Sequence, residues 1–269
     1  MGERLGIIAG SGKIPSFLFQ EAEGKGYECI VAGIRGEAEP EIQELAGTFE
    51  WFELTDVAEI VSYFRQAEIR HILLAGKFDP LKIYKKKSLN PFVLGLIERS
   101  ANKSPASLVS MAIHFFAQKG LSVEDPTQFF ASAFPDEGVL TETLPTPGIE
   151  ADIQFGWGKV RNLADSDIGQ TLVVKEKAVV AVEGMEGTDE TIRRAGRLAG
   201  SGCVVVKLSR TRQDPRIDLP AVGLSTVDSL IDARCAALCV EARKVAFFQK
   251  EESVKKADAG GVVLVARKN

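Results

Sequence analysis

The chain reads as an α/β protein with a parallel sheet in its first half and a separate α/β unit in its second, and three observations predict this. An apolar run at 5–9 leads through a glycine turn into a helical pattern after Pro15, and β-branched residues return at 29–34, which is the β-α-β order of a parallel sheet. Between 134 and 148 the sequence (FPDEGVLTETLPTPG) turns to Pro, Gly, Thr and acidic residues, which marks a domain boundary. Beyond it, two β-rich runs at 171–174 and 178–182 stand three residues apart, the spacing of a hairpin.

The remaining elements follow in order. Val57, Ile60, Val61 and Phe64 fall at helical spacing behind Thr55, a candidate N-cap, and 71–74 begins another strand. Residues 88–100 and 105–119 read as two further helices. The expected domains are 1–134 and 149–269 with a linker over 135–148, where Pro135, Pro145 and Pro147 should break any regular element. A helix begins near Thr188 with the narrow stripe Ile192, Ala195 and Ala199, and 203–208 (CVVVKL) is the most strand-like run in the chain. Ser225 and Asp228 resemble a capping box opening a long helix that carries Val227, Leu230, Ile231, Cys235 and Leu238 on one side, before a last strand at 261–266.

Composition narrows the function. The 33 Lys+Arg and 37 Asp+Glu give a formal charge of −4, and the one concentrated basic stretch is Lys85, Lys86 and Lys87, so nucleic acid is not expected as a partner. Hydrophobic residues at 45% and charged residues at 26% supply a core and exclude wholesale disorder. No apolar run approaches the ~18 to 20 residues that cross a bilayer, which predicts a soluble, cytoplasmic protein. Cys29, Cys203, Cys235 and Cys239 all lie in apolar segments without CxxC spacing and read as buried thiols of a reducing compartment. With only His71 and His114 present, catalysis is expected to run on carboxylates, lysines, arginines and backbone amides.

Four segments carry candidate chemistry. The turn Gly10, Ser11, Gly12, Lys13, between a strand and a helix, can present N–H groups to a phosphate. It lacks the third glycine of a dinucleotide fingerprint, because Pro15 stands there, and Ile14 stands where a Walker A loop has Ser or Thr. A second turn at Gly76 and Lys77 closes what should be a neighbouring strand at the same sheet edge, where open α/β sheets hold ligands. Glu183, Glu186 and Asp189 join a strand to a helix; capping accounts for Asp189 but not for Glu183 at the end of an apolar strand or Glu186 between two glycines, and three acids within seven residues suit a hard cation such as Mg²⁺. Residues 207–220 (KLSRTRQDPRIDLP) mix cations, amides and acids, the vocabulary of a metal-phosphate site or of a loop held by Asp–Arg pairs.

Taken together, residues 5–15 (LGIIAGSGKIP), 75–77 (AGK), 167–174 (DIGQTLVV), 181–189 (AVEGMEGTD), 193–196 (RRAG), 213–216 (QDPR), 218–220 (DLP) and Gly223 resemble, in order, the LpxI-type UDP-2,3-diacylglucosamine pyrophosphatases of lipid A biosynthesis in Gram-negative bacteria. The resemblance covers nearly the whole chain. It departs at Glu176-Lys177, where relatives often have Asp-Gly.

The resemblance implies an N-terminal Rossmann-like domain and a smaller C-terminal α/β domain, and Mg²⁺-dependent hydrolysis of UDP-2,3-diacylglucosamine to UMP and 2,3-diacylglucosamine 1-phosphate. On that basis Asp214, Asp218 and Glu186 are expected to hold metal, with Asp214 the strongest single candidate. Lys207 and Arg216 would steady charge on the phosphate oxygens, and Gly10, Ser11, Gly12, Lys13, Gly76, Lys77, Gln170, Thr188 and Gln213 would bind substrate. The implied partners are a glycolipid nucleotide and, transiently, the inner membrane surface; a homodimer is compatible with the reading. Two rivals stay open: a noncatalytic UDP-sugar sensor, and an NADP-dependent oxidoreductase using Arg35 for the 2′-phosphate.

Overall fold

The computed structural model describes residues 2–76 and 105–268. The helix expected at 88–100, Lys77 and the basic stretch 85–87 lie outside the described residues. By its contacts the chain divides into two units, Met1–Phe130 with Pro215–Asp218, and Ala131–Asp214 with Leu219–Asn269.

The first unit is built on strands β1 (Arg4–Ala9), β2 (Glu28–Ile34), β3 (Thr48–Phe52), β4 (His71–Ala75) and β5 (Ser122–Val123). They form one parallel sheet in the order β3-β2-β1-β4-β5, the Rossmann-like arrangement expected. Helices α1 (Ile14–Gly24), α2 (Glu41–Leu45), α3 (Val57–Gln66) and α4 (Pro105–Gln118) connect and cover it. α1 buries Pro15, Leu18, Phe19 and Ala22. Ile60, Val61 and Phe64 of α3 pack with Ile113 and Phe116 of α4 over Ile8, Ile30 and Ile72 of the sheet. Helix α2 and strand β3 were not legible: α2 is short, and edge strand β3 half-exposes its alternate residues.

The second unit holds a six-stranded mixed sheet in the order β6-β13-β11-β9-β7-β8. Its strands are β6 (Gly138–Val139), β7 (Thr171–Lys175), β8 (Ala178–Val182), β9 (Val204–Lys207), β11 (Ala237–Glu241) and β13 (Val263–Arg267), while β10 (Ala221–Val222) and β12 (Ala246–Phe247) pair separately. β9, β11 and β13 run parallel, and β7 and β8 make the expected antiparallel hairpin. Helix α5 (Pro147–Asp165) packs Ile153 and Val160 on one apolar cluster with Leu172, Val174, Val204 and Val206. Helices α6 (Thr188–Ala199), α7 (Leu224–Asp232) and α8 (Lys250–Gly260) bury Ile192, Val227, Leu230 and Ala257 in another, with Val173, Val205 and Leu238.

Three expectations are corrected here. Residues 135–148 are woven into the second unit: β6 pairs antiparallel with β13, the Leu140 N–H donates to the Leu264 carbonyl at 2.8 Å, and the Glu142 N–H donates to Asp258 at 2.9 Å. A composition that reads as a linker also suits a short edge strand guarded against further pairing. Pro147 starts a helix instead of breaking one, since the first turn needs no N–H from it, and the Thr146 hydroxyl caps the Ile149 N–H at 3.3 Å. The long helix over Val227 to Leu238 ends at Asp232, and Arg234 at φ 52° turns the chain into β11, so Cys235 and Cys239 are not on one helix. Its capping box is not formed: the N-cap is Gly223, Ser225 donates to Asp189 at 3.2 Å, and Asp228 pairs with Lys256.

All four cysteines are free and buried, and burial pushes the thiols of Cys29, Cys235 and Cys239 up to about 12. The paired phenylalanines Phe115, Phe116, Phe129 and Phe130 are core residues.

Candidate active site

In the first unit the two glycine turns sit side by side, because β1 and β4 are neighbours and both end at the carboxyl edge of the sheet. The Gly10 N–H donates to the Ala75 carbonyl at 2.7 Å. Gly76 has φ +88°, and a Cβ there would stand 2.5 Å from the Ser11 carbonyl oxygen, so only glycine allows the turns this approach. Lys13, expected to face a phosphate, forms an exposed pair with Glu41 at 2.5 Å, and Arg35 faces Glu53 at 3.8 Å.

The same unit contains Pro215–Asp218. Ile217 packs against the core around Ile72 and Phe116, and Arg216 acts on Glu124. Glu124 lies below the usual carboxylate range, chiefly through its 2.7 Å hydrogen bond with His71, with the Arg216 charge adding to it. Of the four expected catalytic residues, Lys207 and Asp214 therefore belong to the second unit, and Arg216 and Asp218 to the first.

In the second unit, Lys207 ends β9 at the carboxyl edge of the parallel strands, opposite Thr171 of β7. It is 6% exposed. Its Nζ donates to the Thr188 Oγ1 at 2.6 Å and to the Thr171 Oγ1 at 3.4 Å. The Thr188 hydroxyl donates in turn to Glu183 Oε1 at 2.9 Å, and Glu183 Oε2 accepts the Gln170 N–H at 3.1 Å. Burial works to raise the Glu183 carboxyl, but the Lys207 charge and hydrogen bonds from Thr171, Thr188 and the Gln170 N–H outweigh it, leaving the group below its usual range. Gly169 is required beside it, since a Cβ there would stand 2.1 Å from the Glu183 carbonyl oxygen. The sequence marks Glu183 as an acid that capping does not explain, at the end of an apolar strand, but does not place it among the expected site residues.

The loop that follows β9 is pinned from three directions. Glu241, 2% exposed at the end of β11, accepts Arg161 at 2.6 Å and Lys244 at 2.9 Å, and its other oxygen accepts the N–H and hydroxyl of Ser209 at 3.0 and 2.8 Å. Asp165 accepts the N–H and hydroxyl of Thr211, both at 2.7 Å, and Arg210 pairs with Asp167 at 2.6 Å. The Gln213 side-chain oxygen accepts the Arg210 N–H at 3.1 Å. Thus the loop leads to Asp214 on a frame of buried and half-buried ion pairs, the Asp–Arg pairing expected of it included.

Glu186, expected to hold metal, is engaged within the protein. One oxygen pairs with Arg194 at 2.5 Å and the other accepts the Gly184 N–H at 3.0 Å, so the carboxylate holds the loop onto α6. Among the described residues no group of three or more His, Cys, Asp or Glu side chains converges as a metal cage. Asp214 and Asp218 are half-buried, and their carboxylates are of the hard oxygen class that suits Mg²⁺ held mainly by substrate phosphates.

Comparison with known proteins bears on both units. The LpxI N-terminal domain model matches residues 4–133 and the LpxI C-terminal domain model matches residues 136–265. The chain belongs to the LpxI family. A named LpxI relative, the UDP-2,3-diacylglucosamine pyrophosphatase LpxI of Caulobacter vibrioides, is 26% identical over 275 residues, covering 97% of this chain and 96% of that one. Solved structures share less. CobK precorrin-6A reductase aligns over 99% of this chain and 89% of its own at 12% identity and a TM-score of 0.33. The glycinamide-RNase-transformylase T of Mycobacterium tuberculosis aligns over 67% of this chain and 44% of its own, at 12% identity and 0.28. Among the described residues no helix is long and apolar enough to cross a membrane.

Proposed function

We propose that this chain hydrolyses the pyrophosphate bond of UDP-2,3-diacylglucosamine, releasing UMP and 2,3-diacylglucosamine 1-phosphate in lipid A biosynthesis. The observation that carries the reading is the pair of LpxI domain matches, 4–133 and 136–265, which leave no segment of the chemistry-bearing sequence outside the family. The second unit supports it physically, with a buried lysine at the carboxyl edge of β9 and the loop that leads to Asp214 braced immediately beyond it.

In this reading the glycine turns of the first unit offer backbone N–H groups to the nucleotide diphosphate. Asp214 orients a water and takes its proton as the oxygen attacks one phosphorus, and the bond from that phosphorus to the bridging oxygen breaks. Lys207 bears on the non-bridging oxygens, where negative charge gathers. Bound Mg²⁺ would neutralise part of the diphosphate charge, with one of Asp214 and Asp218 to hold it. The test replaces each carboxylate in purified protein. Asp214→Asn is expected to lower kcat for UMP release by at least ~100-fold, the scale of a lost acid-base group; normal turnover in both Asp214→Asn and Asp218→Asn would end the mechanism.

A further inference from the structure

Lys207 is held by residues from three separate elements, Thr171 of β7, Glu183 after β8 and Thr188 opening α6. A buried lysine and glutamate contribute little to stability compared with apolar side chains of the same volume, so such convergence points to a task for the amine. The hydrogen bonds also run in one direction. The ammonium donates to the Thr188 hydroxyl, and that hydroxyl donates to the Glu183 carboxylate, which is itself anchored by the Gln170 N–H. An ammonium has three N–H donors. Among the described residues two go to threonine hydroxyls, and a third can meet a ligand oxygen.

We propose that Glu183 and Thr188 are positioning residues that aim the Lys207 ammonium at the substrate diphosphate, Glu183 supplying the balancing charge through the Thr188 hydroxyl instead of by direct contact. This rests on the reading that Lys207 acts on the diphosphate. It also reassigns the Thr188 side chain, expected to contact substrate, to the support of Lys207: its hydroxyl is 2.6 Å from the lysine and 2.9 Å from the glutamate. Interposing a hydroxyl keeps the amine from collapsing onto its counter-ion, so that its charge stays directed at the site.

The experiment measures kcat and KM for UMP release by the full-length protein in Glu183→Gln, Thr188→Val, Thr188→Ser, Lys207→Met and the Glu183→Gln/Lys207→Met double variant, with thermal unfolding of each as a fold control. Expected are losses of at least ~10-fold in kcat with KM within ~3-fold for Glu183→Gln and Thr188→Val, and recovery to within ~3-fold of wild type in Thr188→Ser. In the Lys207→Met background, Glu183→Gln should cost no more than about a further factor of 2, because residues acting through one group are not additive. Two results overturn the positioning role: wild-type kcat in folded Glu183→Gln while Lys207→Met is impaired, or independent multiplication of the two losses. Wild-type kcat in Lys207→Met would instead overturn the part assigned to Lys207 itself. Absence of UMP release from wild type would overturn the pyrophosphatase reading.

Discussion

Asp152 illustrates how a single buried side chain can replace a sequence rule. The β7–β8 hairpin turns through Glu176 and Lys177 at φ 50° and 59°, a conformation that favours Asn-Gly or Asp-Gly. Here the Asp152 carboxylate, 7% exposed on α5, accepts the Glu176 N–H at 2.9 Å and the Lys177 N–H at 2.6 Å, and it holds the turn from beneath. Lys177→Gly, freed from the left-handed strain, should raise unfolding free energy by about 0.5–1 kcal/mol, whereas Asp152→Ala should lower it by roughly 2–3 kcal/mol, both read from urea unfolding. The Glu241 carboxyl gives a pH prediction. Burial raises it, but Arg161, Lys244 and Ser209 outweigh burial and leave it below 4.5. Glu183 is depressed in the same sense. The unfolded chain therefore takes up these protons first as pH falls, so their stabilisation is complete above about 4.5 and is lost as pH drops through the lower folded values. The urea midpoint should fall below that pH, and Glu241→Gln should start lower and show a shallower acid limb; a midpoint that rises on acidification would contradict the assignment.

Among the elements, α5 covers the sheet of the second unit, and the sequence concealed it as it concealed α2 and β3 of the first. Its Gly156 faces the sheet, where a Cβ would lie 3.1 Å from Val206 Cγ2 and 3.2 Å from Val174 Cγ2. Glycine thus lets the helix approach the strands closely while weakening the helical signal. Gly156→Val should overpack this contact and cost roughly 2 kcal/mol or more of stability, measured by thermal unfolding; an unchanged midpoint would mean that α5 does not sit as described. Strands β1, β2, β9 and β13 were legible because buried parallel strands are continuous apolar runs. The false continuation of α7 arose because Cys235 and Leu238 extend a three-and-four spacing, and only the left-handed Arg234 ends it. Lys207 and Asp214 were visible in the sequence as charges beyond a strong strand. The Glu241 frame was not, because its partners Ser209 and Arg161 are 32 and 80 residues away.

On the scale of the whole molecule, each unit presents its candidate chemistry at the carboxyl ends of parallel strands: the glycine turns after β1 and β4, and Lys207 with its braced loop after β9. The short segment Pro215–Asp218 groups with the first unit although the chain on either side belongs to the second, which divides the expected catalytic residues between two folded bodies. That division was not legible, since neighbours in sequence give no sign of which core they join. The measurement that tests the account most directly is UMP release by the purified chain from UDP-2,3-diacylglucosamine, with Mg²⁺ and with EDTA, beside UDP-N-acetylglucosamine. Release from the acylated substrate in Mg²⁺, lost in EDTA and absent with the non-acylated sugar, is the predicted result. No release from the dispersed acylated substrate by folded protein would contradict the account.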